Sequence, residues 1–171
     1  MRFQTDIYGE LHTLDDRKRI EGLIMVAHSK NRYSYLLLEE LGPHRYATQK
    51  AKEKAIDDQM YSIGPLGLEL AILLNIPAIG IDVWDKEIHK TDKHGPNGTF
   101  TDARRSFLAR EKHMYDVINR YHCLGRTAVI VGDTHLRTIR TPELGDISYL
   151  QKKFKSDRYV AFHRSPNGEI A

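Results

Sequence analysis

The residues whose chemistry stands out are acids and imidazoles placed just after short apolar runs. Ile7-Tyr8 leads into Gly9-Glu10-Leu11-His12, and Tyr35-Leu36-Leu37-Leu38 into Glu39-Glu40. Ala78-Ile79-Gly80-Ile81 leads into Asp82, and Thr127–Val131 into Gly132-Asp133-Thr134-His135. In extended chain, residues i and i+2 project to one side, so Glu10 and His12 can face one ligand as an acid–base pair or as two metal ligands. Gly9 lets the backbone turn or approach a ligand closely. A carboxylate at the edge of a buried strand is costly unless paired, so Glu39 calls for a histidine, an arginine or a metal. His135 is expected near a helix N-terminus, whose positive end favours the neutral imidazole that serves as base or ligand. Asp133 would cap that helix or orient a histidine. Each residue also has a plainer use: Glu10 as a helix cap, His12 in solvent, Glu39 in a salt bridge, Asp82 closing a turn through its own side chain.

The elements that must position these groups alternate. A strand is expected from about Phe3 to Tyr8. A helix follows, with Thr13 as N-cap and Asp15 and Asp16 in its first turn, and Ile20, Leu23, Ile24 and Ala27 recur in it at helical spacing. Tyr35–Leu38 reads as a strand covered on both faces and broken by Gly42-Pro43. Arg45 to Tyr61 reads as a solvated helix, and Gly64-Pro65 starts a more apolar one ending at Asn75. Pro77 to Asp82 is a third strand. Trp84 to Phe100, with His89, Asp92 and His94, reads as a loop or lid. A long helix from Thr101 or Asp102 to about Tyr121 carries Phe107, Met114, Val117 and Ile118 on an apolar face. Thr127–Val131 and Tyr159–Phe162 complete the strands. This order is that of an α/β fold: a mainly parallel sheet with helices on both faces, in a single domain spanning 1–171. In such sheets ligands bind beyond the carboxyl ends of the strands, where the acids and histidines gather.

Bulk properties narrow the class. The chain has 171 residues, 40% of them hydrophobic and 29% charged, which suits one globular core. A net charge of +3 is spread along the chain, with no basic–aromatic cluster, so the sequence points to a small-molecule substrate or ligand rather than nucleic acid. The single cysteine, Cys123, excludes an internal disulfide framework and a zinc ribbon. No apolar run is long enough to span a bilayer, and the first residues do not resemble a signal peptide, so the expected setting is cytoplasmic. Phosphate-loop, Gly-X-Ser-X-Gly and His-Glu-X-X-His patterns do not occur. Arg104, Arg105 and Arg110 lie on the long helix, and an inward one could clamp an anionic oxygen.

In order, the motifs resemble the superfamily that joins erythromycin esterases, Tiki proteases, TraB-type proteins and haem-binding ChaN-like lipoproteins. The likeness rests on Gly9, Glu10 and His12, on Glu39, on Ile76-Pro77 to Asp82, on Arg110 and Met114 four apart, and on Gly132 and His135. It spans about Ile7 to His135. The chain is shorter than typical members, and helical insertions that build a substrate pocket are missing.

The superfamily holds both hydrolases and haem binders; the gathering at the strand ends, taken with the resemblance, points to a hydrolase acting on an ester, amide or related bond, with Glu10, His12, Glu39, Arg110 and His135 catalytic. Asp82, Asp133 and Arg137 are assigned to substrate binding. His12, Glu39 and His135 are the ligands if a divalent metal assists. The rival is a module that binds haem or a similar ligand, for which Tyr8, Tyr33, Tyr35 and His44 are available. A third reading is an interaction domain without chemistry.

Overall fold

The computed structural model describes residues 1–39, 41, 44–58, 66–83 and 103–166. The expected lid at Trp84 to Phe100 lies outside the described residues, as do Glu40, the Gly42-Pro43 break, the Gly64-Pro65 start and the Thr101/Asp102 cap. The elements run β1 (Thr5–Glu10), α1 (Leu14–Lys30), β2 (Tyr35–Leu38), β3 (Arg45–Tyr46), α2 (Gln49–Asp58), α3 (Leu66–Leu73), β4 (Ala78–Gly80), α4 (Ala103–His122), β5 (Thr127–Gly132), α5 (Tyr149–Phe154) and β6 (Val160–His163). A single 3₁₀ turn, Asp133–Leu136, follows β5 directly.

These form one six-stranded sheet in the order β3-β4-β2-β5-β1-β6. All pairings are parallel except β3 with β4. Alternating strand residues build two cores. Tyr8, Leu36, Leu38, Ala128 and Ile130 pack with Ile20 and Ile24 of α1 and with Leu68, Leu70 and Ala71 of α3. Ile7, Leu37, Ile79, Val129 and Val131 pack with Met114 and Ile118 of α4 and with Leu150 and Phe154 of α5. Buried on both sides, the strands read as continuous apolar runs. The α/β class with helices on both faces is therefore the observed one.

Local chemistry explains most boundaries. The Thr13 side chain accepts the Asp16 amide at 3.2 Å, which caps α1. The expected helix from Arg45 is corrected at its start: Arg45 and Tyr46 pair antiparallel with Ile79 and Ala78 before α2 begins. Thr48 then caps α2 through the Ala51 amide at 3.1 Å. Asn75 closes α3 with a positive φ of 53°, a conformation asparagine tolerates better than most residues. Ser148 caps α5, accepting the Leu150 and Gln151 amides.

Strand order decides what meets. The strands β4, β2, β5 and β1 are contiguous, all parallel, and in register at their carboxyl ends. Leu38 aligns with Gly80 on one side and with Ile130 on the other, and Glu10 aligns with Gly132. Asp82, Glu39, the 3₁₀ turn and Glu10 thus emerge on one rim, as the strand-end rule requires.

Candidate functional site

At that rim lies a line of alternating buried charges. Asp82 takes Arg110 bidentately, with both contacts at 3.0 Å. Arg110 reaches Glu39 at 2.6 Å, and Glu39 meets His135 Nε2 at 3.1 Å. His135 Nδ1 faces Glu111 Oε1 at 3.3 Å, and Glu111 accepts Arg137 Nη1 at 2.5 Å. Among the described residues, three carboxylates and three cations follow one another in this line, and each charge has partners on both sides or a backbone contact. Such satisfaction makes a buried polar network rigid rather than costly.

The line fixes protonation states. Burial pushes the Glu39 carboxyl up, but His135, Arg110 and the Gly132 amide at 2.5 Å outweigh it and hold the group far below the usual carboxylate range. Burial opposes charge on His135, yet Glu39 and Glu111 raise it to about 9. Glu111 is likewise held low by His135, the Tyr149 amide and Arg137 against the pull of burial. Phe107 stacks on the His135 ring at a centroid distance of 4.7 Å and shields it. His135 is therefore an imidazolium at neutral pH. The expected neutral form is corrected: one 3₁₀ turn supplies little helix field, while two carboxylates dominate.

His12 is the solvent-facing member, with half of its side chain exposed. Its Nδ1 lies 3.6 Å from Glu10, and Glu10 is buried against Arg17 Nε at 2.5 Å. His12 adopts a φ of 59°, a left-handed conformation that costs about 1–2 kcal/mol in a residue with a Cβ. Strain of this kind concentrates at functional positions. Glu39 and His12 converge over Gly132. A Cβ there would sit 3.3 Å from Glu39 Oε2 and 3.4 Å from His12 Nε2, tighter than an ordinary contact. The absence of a side chain at Gly132 is what lets the two groups approach the same point of the backbone.

Several expected roles change. Asp133 accepts Arg164 through both oxygens and the Ser165 amide at 2.9 Å, and so ties down the chain after β6. Gly9 makes room for that carboxylate, since a Cβ would fall 2.2 Å from Asp133 Oδ1. Close approach at Gly9 is therefore to Asp133, not to a ligand. Arg137 is buried against Glu111, the Thr134 carbonyl and the Asp146 carbonyl. Asp82 holds Arg110 and the Val83 amide. These three, expected at a substrate, are each engaged by neighbouring protein groups.

The side chains expected to hold a metal already have protein partners: both ring nitrogens of His135 face carboxylates, Glu39 is held by Arg110 and the Gly132 amide, and His12 lies beside Glu10. Among the described residues, no three His, Cys, Asp or Glu side chains are placed to hold a metal ion. The tyrosines considered for haem are engaged elsewhere. Tyr8 and Tyr33 are buried and hydrogen-bonded to each other at 3.0 Å, and Tyr33 also donates to Asp6. Tyr35 packs edge-on against Tyr121.

Sequence reasoning missed Glu111, Arg17, Phe107 as a stacking partner, and Arg164. Glu111 carried a signal. Phe107, Glu111, Met114 and Ile118 share one helical stripe, so an acid stands in an otherwise apolar register. Arg17 likewise falls three residues before Ile20 on the buried face of α1.

Comparison with known proteins adds the fold. No family model matches the chain, and no curated protein matches it. Among solved structures it is similar to RRSP, a MARTX toxin effector domain from Vibrio vulnificus CMCP6. That match has 13% identity and a TM-score of 0.50 and covers 97% of this chain and 34% of that one. It is also similar to a crystal structure of bacterial protein toxins, at 15% identity and a TM-score of 0.49, over 87% of this chain and 32% of that one. The likeness to RRSP is one of fold. This chain spans about a third of the length of either. No described helix is long and apolar enough to cross a membrane.

Proposed function

We propose that the chain is a hydrolase of an ester or amide bond, and that it belongs to the erythromycin esterase, Tiki, TraB and ChaN superfamily its motifs resemble. One observation carries the reading. His12 Nε2 and a Glu39 oxygen converge over Gly132 at the carboxyl rim of the sheet. The superfamily assignment is supported by the order of Gly9-Glu10-Leu11-His12, Glu39, Arg110 and His135 along the chain. The α/β fold shared with a bacterial toxin effector domain is compatible with an enzymatic role and names no substrate.

The chemistry follows from the protonation states. Glu39, held ionised, is too weakly basic to take a proton but accepts a hydrogen bond from a water molecule. His12 takes that water's other proton as its oxygen attacks the carbonyl carbon. The proton then passes to the departing alcohol or amine as the carbon–oxygen or carbon–nitrogen bond breaks. Glu10, fixed by Arg17, lies close enough to His12 Nδ1 to steady the imidazolium formed in between. Arg110 and His135 keep Glu39 ionised and in place, which leaves His12 as the base in this reading.

The test is turnover of a panel of small esters, amides and peptides by the wild-type chain and by His12→Asn. Hydrolysis of any member by wild type, reduced at least about a hundredfold in H12N, supports the reading. Equal rates in the two proteins would reject it.

A further inference from the structure

We propose that Glu111 is a positioning residue for this site, acting through His135 although it never reaches the substrate. The inference deepens the hydrolase reading and names a residue outside the set that the motifs supply. Glu111 is completely buried in α4. Its Oε1 meets His135 Nδ1 at 3.3 Å and Arg137 Nη1 at 2.5 Å, and its Oε2 accepts the Tyr149 amide at 2.7 Å.

These contacts do two things at once. They bring together both ends of the chain excursion from Arg137 to Tyr149, so the segment after the 3₁₀ turn leaves and returns at one carboxylate. Ser148 adds a second tie by donating its hydroxyl to the His135 carbonyl. They also fix the plane of the His135 ring. With Nδ1 held on Glu111 and Phe107 stacked on one face, Nε2 has one direction left, toward Glu39 Oε1 at 3.1 Å. The other oxygen of Glu39, Oε2, accepts the Gly132 amide and converges with His12 over Gly132. Glu111 therefore sets the orientation of the carboxylate that holds the water, two side chains away.

Among the described residues, the charged groups acting on His135 are Glu39 at the end of β2 and Glu111 and Arg110 on α4. Without Glu111, Glu39 is the described carboxylate left beside His135, while the opposing charge of Arg110 stays. Loss of the proton from His135 then becomes far easier.

The experiment is a nuclear magnetic resonance titration of the histidines in the full chain, with the His135 signals assigned by their loss in His135→Asn. Wild type, Glu111→Gln and Glu111→Asp are compared with Leu150→Ala, a core change in α5 that destabilises without touching the charged line. The expected midpoint for His135 is about 9 in wild type. It should fall at least tenfold in proton affinity in E111Q, recover partly in E111D, and stay in place in L150A. On any hydrolysed substrate, kcat should fall in E111Q with KM nearly constant.

An unchanged midpoint in both Glu111 variants overturns the proposal. If E111Q does not fold, E111D alone decides, by whether its midpoint moves while that of L150A does not. The titration needs no turnover. A shifted midpoint in a chain with no hydrolytic activity would support the Glu111–His135 coupling and reject the hydrolase reading separately.

Discussion

Replacing Glu39 with glutamine tests the charged line where it is most connected. Glu39 accepts from the Gly132 amide, from Arg110 and from His135, with only 13% of its side chain exposed. Glutamine keeps the shape but offers one oxygen and an NH2 group. One of the three donors loses its partner, and two buried cations lose the charge between them. Breaking a buried pair in this way costs about 3–5 kcal/mol. The proton on His135 gives the effect a pH signature. A folded-state value of about 9 lies above the ordinary 6.5, so this group's contribution is fully present below 6.5 and is lost as pH rises through 9. The displacement corresponds to about 3 kcal/mol. Urea unfolding of wild type and Glu39→Gln at pH 6.5, 8 and 9.5 is the assay. The variant should be less stable by about 3–5 kcal/mol at pH 6.5, and most of the His135 share of that gap should vanish by pH 9.5. A gap below about 1 kcal/mol at pH 6.5, or one that does not change with pH, would refute the buried charged line as drawn.

Other perturbations probe neighbouring parts of the account. Gly9→Ala forces the Asp133 carboxylate off Arg164 and Ser165, and by overpacking alone should cost about 1–3 kcal/mol. Combined with Asp133→Ala, it should cost less than the sum of the single changes by at least about 0.5 kcal/mol in thermal unfolding, whereas strict additivity would deny the contact. His12→Gly should unfold at a higher temperature than His12→Ala, because only glycine removes the strain at φ 59°, by about 1 kcal/mol, while both variants lack activity. Gly132→Ala crowds Glu39 Oε2 and His12 Nε2 by a few tenths of an ångström. It should lower kcat strongly while shifting stability little, and a fully active G132A would show that the convergence over Gly132 is not the reacting site.

Much of the rim was readable because parallel strands place their carboxyl ends together, and acids or histidines follow each of four apolar runs. The strand order was not readable, since nothing in the runs themselves says that β5 inserts between β2 and β1. Arg45-Tyr46 reads as helix in the sequence because two residues of edge strand carry no periodicity. The six-residue helix α5 escaped for the same reason of length. The state of His135 is not legible in the sequence because its decisive neighbour, Glu111, is 24 residues earlier and hidden in an apolar stripe. The partner of Asp133 comes from Arg164, 31 residues later, a pairing only the position of β6 beside β1 creates.

The most direct measurement is a double-mutant cycle on kcat/KM, using wild type, His12→Asn, Glu39→Gln and the pair together on one hydrolysed substrate. If His12 and Glu39 handle the same water, each single change should cost roughly a hundredfold or more, and the pair should cost little beyond the worse of the two. Losses that multiply, or a His12→Asn enzyme as fast as wild type, would contradict a shared site.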